Sequence, residues 1–328
     1  MATATSAIQS QLIARRTRLE AAAGSVSDEY LNDLLSEVDA ALQRIEIGSY
    51  GICETCNDSI EPDRLEANPL CRFCLDHLSD EERSSHQHDL DLATQIQARL
   101  LPQKEVVLDG WHAQYRYEPL GAVGGDYCEL IRLEKPQSLF FAVGDVSGKG
   151  VAASLLMTYL SAIFRSLLST GISLTDIVSQ ANRLLCEGTS PAHYATLVCG
   201  RATPTGVEVC NAGHCSPLLL RENGVEQLCS NGLPLGIFPD CQYTITQCAL
   251  RPGESLILYS DGVTEAADSS NEEFGDQRLI ESLRKTCPNG AAAMADGVIE
   301  DLGLFRKGSQ FADDVTLLVV CRKASMTS

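Results

Sequence analysis

Three apolar, strand-like runs in this chain meet acid at one end, and that pattern restricts the fold more than any other feature. Residues 138–143 (SLFFAV) run into Gly144-Asp145 and a glycine-rich turn, GDVSGKG, after which a helical pattern opens near Val151. Residues 255–260 (SLILYS) end in Asp261-Gly262, and Asp313-Asp314 stands just before residues 315–320 (VTLLVV). A fourth acid, Asp126, follows Gly124-Gly125. Glycines beside a carboxylate at the mouth of a buried strand let other groups come close. Carboxylates gathered in this way repel one another strongly unless they share a cation. A divalent-metal centre built from Asp126, Asp145, Asp261 and the Asp313-Asp314 pair is therefore expected.

The formal net charge of -19 opposes binding to a nucleic-acid backbone, which depends on Lys and Arg. Acid is concentrated early: residues 1–102 carry 18 Asp and Glu against 8 Arg and no Lys. Fourteen cysteines would suit a secreted disulfide scaffold, but MATATSAIQSQLIARR at the start has no apolar signal-peptide core. The longest apolar candidate for a membrane span, Leu155–Leu168, is interrupted by Thr158, Tyr159, Ser161 and Arg165 and falls short of the about 18 residues needed. The expectation is a cytoplasmic protein with no direct nucleic-acid or membrane partner, its cysteines reduced or on metal.

Residues 7–23 favour helix and stop at Gly24. Ser27 suits an N-cap for a second helix, Asp28–Ile47, where Leu31, Leu34, Leu35, Val38, Leu42 and Ile45 keep the 3.6-residue period. Residues 1–50 thus read as a helical hairpin. A small module at 51–76 follows, in which Cys53-x2-Cys56 and Cys71-x2-Cys74 are separated by 14 residues. Two such knuckles present four thiolates to one tetrahedral ion, and four thiolates close the site, so one structural Zn²⁺ is expected on Cys53, Cys56, Cys71 and Cys74. Residues 77–102 read as a linker helix that Pro102 stops. Its stripe Leu92, Ile96, Leu100 suits either packing on the next domain or a homodimer contact.

The stretch ALQRIEIGSYGICETCNDSIEPDRLEANPLCRFC resembles the zinc finger of the DksA/TraR family, which includes regulators that bind RNA polymerase directly. The second knuckle follows Pro69 sooner than is usual there, and the hairpin is too short for a long probing coiled coil. The resemblance therefore implies a scaffold or docking element first, and contact with RNA polymerase second.

Further on, strands are expected at 138–146, 194–201, 206–211, 217–221, 243–250, 255–260 and 315–321, with helices at 151–169, 174–187, 277–285 and 291–304. Helices grouped between and after runs of strands indicate an α+β fold with antiparallel sheets. The motifs GAVGGDYCEL, GDVSGKGVAASLLM, CNAGHCSPLLL, GLPLGI, LYSDGVTEA, FG at 274–275 and FADDVTLLVV stand in the order found in PPM-type serine/threonine phosphatases. More narrowly, residues 92–322 look like the bacterial SpoIIE/RsbU branch.

That resemblance implies a domain at 103–324, with a tail at 325–328, made of stacked antiparallel β-sheets flanked by helices and two Mn²⁺ or Mg²⁺ ions at one end. It implies that Asp145 bridges both ions and that Asp261 and Asp313 complete the first ion's shell. The Val146 carbonyl and Asp126 then serve the second ion, and Asp314 is left to hydrogen-bond. The implied reaction is hydrolysis of phosphoserine or phosphothreonine by metal-activated water. The implied substrate is a STAS-domain anti-anti-sigma factor in a partner-switching pathway. The helices at 151–187 are implied to act as a switch. Ser147 stands where eukaryotic PPM enzymes carry a histidine, and His214 either substitutes as a proton donor or fixes a turn.

Two rival readings fail on the residues. GDVSGKG is no P-loop, since Gly144 and Gly148 have three residues between them rather than four, and Gly150 replaces the hydroxyl residue that binds Mg²⁺. A non-catalytic, zinc-scaffolded docking protein would be expected to lack metal aspartates, and all four are present. The ten other cysteines show no paired spacing and suit small core positions, Cys128 being the one thiol near Asp126.

Overall fold

Burial that is nearly continuous along residues 138–144, 255–259 and 315–321 explains why these apolar runs became interior strands. The structure is a computed structural model that describes residues 2–23, 29–77, 80–108, 110–134, 136–190, 192–228, 232–287, 290–308 and 311–323. Gly24, Ser27, Asp28, Cys229 and the tail 325–328 lie outside these residues. The chain divides into two units, Met1–His88 and Asp89–Ser328.

In the larger unit, the first sheet is ordered β1 (Glu105–Leu108), β2 (Trp111–Glu118), β11 (Val315–Arg322), β10 (Ser255–Tyr259), β7 (Leu218–Arg221) and β8 (Gly224–Gln227). The second is ordered β3 (Asp126–Glu134), β4 (Gln137–Val146), β5 (Ala195–Thr203), β6 (Gly206–Ala212) and β9 (Thr246–Cys248). All ladders between these strands are antiparallel. Successive strand residues point to opposite faces, so Phe141, Leu258 and Leu318 fill the core between the sheets while Phe140, Ile257 and Leu317 face outward towards helices. The outer face of the second sheet packs on α5 (Gly150–Leu168) and α6 (Leu174–Gly188) through Met157, Leu160, Phe164 and Ile177. The first sheet is covered by α8 (Gly275–Thr286) and α9 (Gly290–Arg306) through Leu279, Met294 and Val298. This is the expected α+β arrangement of stacked antiparallel sheets between helices.

Strands β1, β2, β3 and β8 were not expected. In β2 (WHAQYRYE) and β3 (DYCELIRLE) polar residues interrupt the apolar run, and long-range pairing with β11 and β4 holds them in the sheets. The expected strand 243–250 contracts to the three residues of β9. By length and composition α5 is apolar enough to cross a membrane, but Ala153, Met157, Leu160 and Phe164 are buried in the protein core.

In the smaller unit, α1 (Ala2–Ala23) and α2 (Glu29–Glu46) meet through buried Leu12, Val38 and Ala41. The module after them holds a short helix, α3 (Pro62–Ala67), and a single 3₁₀ turn, Leu75–His77. Helix α4 (Asp80–Leu100) carries the chain onward. Two of the three residues of its predicted apolar stripe lie off its packing face: Leu92 and Ile96 are each 49% exposed, whereas the polar Gln97 is buried. Leu90, Ala93 and Leu100 are half-buried on the same side as Gln97.

Candidate active site

Antiparallel pairing brings the end of one strand beside the start of the next, and it gathers the acids at one edge. Asp126 opens β3 and lies directly opposite Asp145 near the end of β4, so both side chains share a face. Tyr259 at the end of β10 pairs with Leu317 of β11, which brings Asp261 beside Asp313-Asp314. Asp261 begins a one-turn helix, α7 (Asp261–Thr264). Glycine is required next to it, because a Cβ at Gly262 would collide with the Asp314 backbone carbonyl.

Asp145, Val146, Asp261 and Asp313 line one cavity of about 580 Å³, together with Ser147, Lys149, Thr196, His214 and Asp314. Asp126 lies behind this lining, 2% exposed, its Oδ2 accepting from the Thr316 hydroxyl at 2.5 Å. Four of the five predicted ligand positions therefore share the cavity, and Asp126 adjoins them through its register with Asp145.

The electrostatics follow from burial and crowding. Burial first, then Asp261, Asp313 and Asp314, push the Asp145 carboxyl up to about 7. Burial and Asp313 raise Asp261. Asp126 is held well above the usual carboxylate range, mainly by burial, with the Thr316 hydroxyl opposing part of the rise. Asp313 meets a cation: Lys149 Nζ donates to its Oδ2 at 2.9 Å and to the Ala312 carbonyl at 3.1 Å. Crowded carboxylates already drawing an ammonium, beside a backbone carbonyl, form the hard oxygen donor set that Mg²⁺ and Mn²⁺ prefer.

Asp314 fastens the loop before β3. Its Oδ1 accepts from Leu120 N–H at 2.6 Å, and its Oδ2 accepts from Gly125 N–H at 2.6 Å and Asp126 N–H at 3.3 Å. His214 is buried and hydrogen-bonded through Nδ1 to the Thr196 hydroxyl at 2.8 Å. Its backbone N–H donates to Asn211 Oδ1, and Asn211 Nδ2 donates back to the His214 carbonyl. Burial holds its imidazole down to about 4, so at neutral pH it is an uncharged turn residue that lines the cavity. Cys128 is buried between the sheets and its thiol is pushed well up by burial, so the nearby thiol is unreactive.

Three contributors escaped sequence reasoning. Lys149 drew attention only as a P-loop residue. Thr316 sits within an apolar strand run. Gln97 lies on a helix where a glutamine reads as solvent-facing.

In the smaller unit, the sulfurs of Cys53, Cys56 and Cys74 and a ring nitrogen of His77 all lie within 4.8 Å of one another. Cys71 is not part of that group. The first knuckle is closed by Cys53 N–H donating to Asp58 O at 2.8 Å and Asn57 N–H donating to Cys53 O at 2.9 Å.

Residues 135–323, more than half of the chain, match the family model of Stage II sporulation protein E, SpoIIE. The chain belongs to the SpoIIE family. Residues 48–77 of this SpoIIE-family chain match the prokaryotic dksA/traR C4-type zinc finger. Protein IcfG of Synechocystis sp. is 30% identical over 268 residues, which are 71% of this chain and 41% of IcfG. Phosphoserine phosphatase RsbU of Bacillus subtilis is 28% identical over 245 residues, 72% of this chain and 70% of RsbU. The chain thus spans about two fifths of IcfG and seven tenths of RsbU. The SiaA-PP2C domain of Pseudomonas aeruginosa shares the fold with a TM-score of 0.66 at 20% identity, covering 74% of this chain and 99% of that domain. The stacked sheets of this SpoIIE-family protein are therefore PP2C-like.

Proposed function

We propose that this SpoIIE-family chain is a metal-dependent protein serine/threonine phosphatase acting on phosphoserine or phosphothreonine. The observation that carries the reading is the cavity in which Asp145, with its pKa raised to about 7, is crowded by Asp261 and Asp313. Two Mn²⁺ or Mg²⁺ ions would be held by Asp145, Asp261, Asp313, Asp126 and the Val146 carbonyl, and when bound they would acidify water and neutralise phosphoryl oxygens.

The chain's own residues prepare that chemistry. Asp314 fixes the loop leading into Asp126 through three backbone N–H groups. Lys149, whose side chain is largely exposed at the cavity, can meet an incoming phosphoryl group as well as Asp313. His214, neutral and held by Thr196 and Asn211, shapes the wall.

The substrate we propose is a STAS-domain anti-anti-sigma factor, on the strength of motifs shared with the SpoIIE/RsbU branch. The finger is proposed to hold one structural Zn²⁺ and to serve as a docking element. Exposed Leu92 and Ile96 favour a homodimer contact along α4. Cytoplasmic residence is supported by the cysteines: all thirteen in the described residues are unpaired.

The test is turnover of p-nitrophenyl phosphate and of a phosphorylated STAS protein with added Mn²⁺. Asp145→Asn should lower both by about 100-fold or more. Equal rates for the variant and the parent would end this reading.

A further inference from the structure

The finger's converging donor atoms do not match its cysteine count. We infer that His77, rather than Cys71, is the fourth ligand of the finger's metal, making a Cys₃His site with Cys53, Cys56 and Cys74 and leaving Cys71 as a free thiol in a different cavity. The inference rests on the reading of this module as a zinc finger and assigns its ligands.

Local geometry places His77. Residues 75–77 form one 3₁₀ turn, and His77 N–H donates to Cys74 O at 3.0 Å. Side chains three apart eclipse in a 3₁₀ turn, which sets the imidazole over the Cys74 sulfur. His77 Nδ1 stands 3.2 Å from that sulfur, and Cys56 Sγ stands 3.7 Å from it. Two thiolates at about 2.3 Å from a tetrahedral ion would be about 3.8 Å apart, and a thiolate and an imidazole nitrogen about 3.6 Å apart. A bound ion therefore needs a shift of only a few tenths of an ångström from the His77 contact.

The same backbone holds Cys71 away. Tyr50 Oη donates to Pro69 O at 2.9 Å, Leu70 N–H donates to Asn68 Oδ1 at 3.1 Å, and Cys71 N–H donates to Asn68 O at 3.1 Å. With Leu70 alone between Pro69 and Cys71, the chain has no slack to swing the thiol round. Arg72 is tied to the first knuckle, its carbonyl accepting from Glu54 N–H and its guanidinium bonding Glu54. Cys71 instead lines a cavity of about 400 Å³ with Arg44, Arg64 and Arg72. A Cys₃His shell is also a closed structural zinc set, so exchanging one thiolate for an imidazole keeps the role and removes one negative charge.

X-ray absorption of the zinc-loaded full chain should show three sulfurs and one nitrogen. Cys71→Ser should keep one zinc per chain with unchanged resistance to a chromophoric chelator, while His77→Ala should release it about 100-fold faster or more, as lost ligand-shell groups typically do. Because His77→Ala could unfold the module, the double variant Cys71→Ser/His77→Cys serves as a rescue: it should hold zinc through four sulfurs. Four sulfurs in the parent spectrum, or zinc lost from Cys71→Ser and kept by His77→Ala, would overturn the ligand assignment alone. A parent chain that binds no zinc would instead overturn the reading of the module as a zinc finger.

Discussion

Gln97 of α4 and Gly124 of the loop before β3 hold each other by two hydrogen bonds. The carboxamide nitrogen donates to the glycine carbonyl at 2.7 Å, and the glycine N–H donates to the carboxamide oxygen at 3.1 Å. Thr94, one turn earlier, donates to Ala122 O at 3.0 Å. Asp126 lies two residues beyond Gly124, so the linker helix grips the segment that delivers a proposed metal ligand. This contact reaches the site through the 122–126 loop, apart from the helices α5 and α6 expected to act as a switch.

Replacing Gln97 by Leu keeps the volume and strands both backbone groups of Gly124. The expected cost is about 1–3 kcal/mol of stability per buried group left unsatisfied. A Mn²⁺ titration of activity should show weaker activation, with the half-maximal concentration raised several-fold. An unchanged titration curve would show that the clamp does not reach Asp126.

Glu129 is 1% exposed on β3 and is bonded by Arg165 of α5 at 2.8 Å. Burial raises its carboxyl even with Arg165 opposing the rise. Arg165→Leu would leave that acid without its counter-charge and also free the Leu100 carbonyl, to which Arg165 donates. Because Arg165 is itself 39% exposed, urea unfolding should report a loss below the about 3–5 kcal/mol of a fully buried pair, partly recovered by adding Glu129→Gln. A loss no larger than that of an average surface substitution would count against a buried ion pair.

Gly262→Ala places a methyl group against the Asp314 carbonyl, which is backbone and cannot swing aside. A shift of α7 relative to β11 should follow, separating Asp261 from Asp313. Overpacking of this kind costs about 1–3 kcal/mol, and misplacement of reacting groups by about 1 Å costs about 100-fold in rate. Activity at saturating Mn²⁺, measured beside the melting temperature, separates the two effects.

Asp145, raised to about 7, and Asp261, also raised, bind protons more tightly in the folded chain than in the unfolded one. The contribution of Asp145 to stability is therefore present below the ordinary carboxylate range near ~4 and is lost as pH rises through about 7, and that of Asp261 is lost in the same direction. The metal-free protein is expected to melt at a lower temperature at pH 8 than at pH 6. Mn²⁺ should restore more at pH 8 than at pH 6, and Asp145→Asn should flatten the metal-free slope. Thermal melts in chelator at the two pH values check this.

The strands that end at or beside Asp145, Asp261 and Asp313 were legible because each couples a mostly apolar run to an acid, a local signal. The neighbours that complete the arrangement were not. β2 and β3 owe their strand form to partners far along the chain, and their own polar residues hide it. Gln97 and Thr316 do their work through contacts 27 and 190 residues away. Leu92 and Ile96 carried a helical stripe that suited packing or a dimer contact alike, yet among the described residues of that helix the buried one is a glutamine whose partners are backbone groups. In the finger the spacing of the cysteines was plain, but Pro69 and Asn68 direct Cys71 elsewhere, and His77 stands one residue past the expected boundary of the module.

Strand β11 follows the other described strands in sequence, yet it sits in the interior of the first sheet, between β2 and β10. Until it emerges from the ribosome, β2 has only β1 beside it in that sheet, and Asp313 has not been made. Such distant pairing is slow to form. Pairing in the first sheet and assembly of the proposed metal site should therefore arrive together, because both wait for β11.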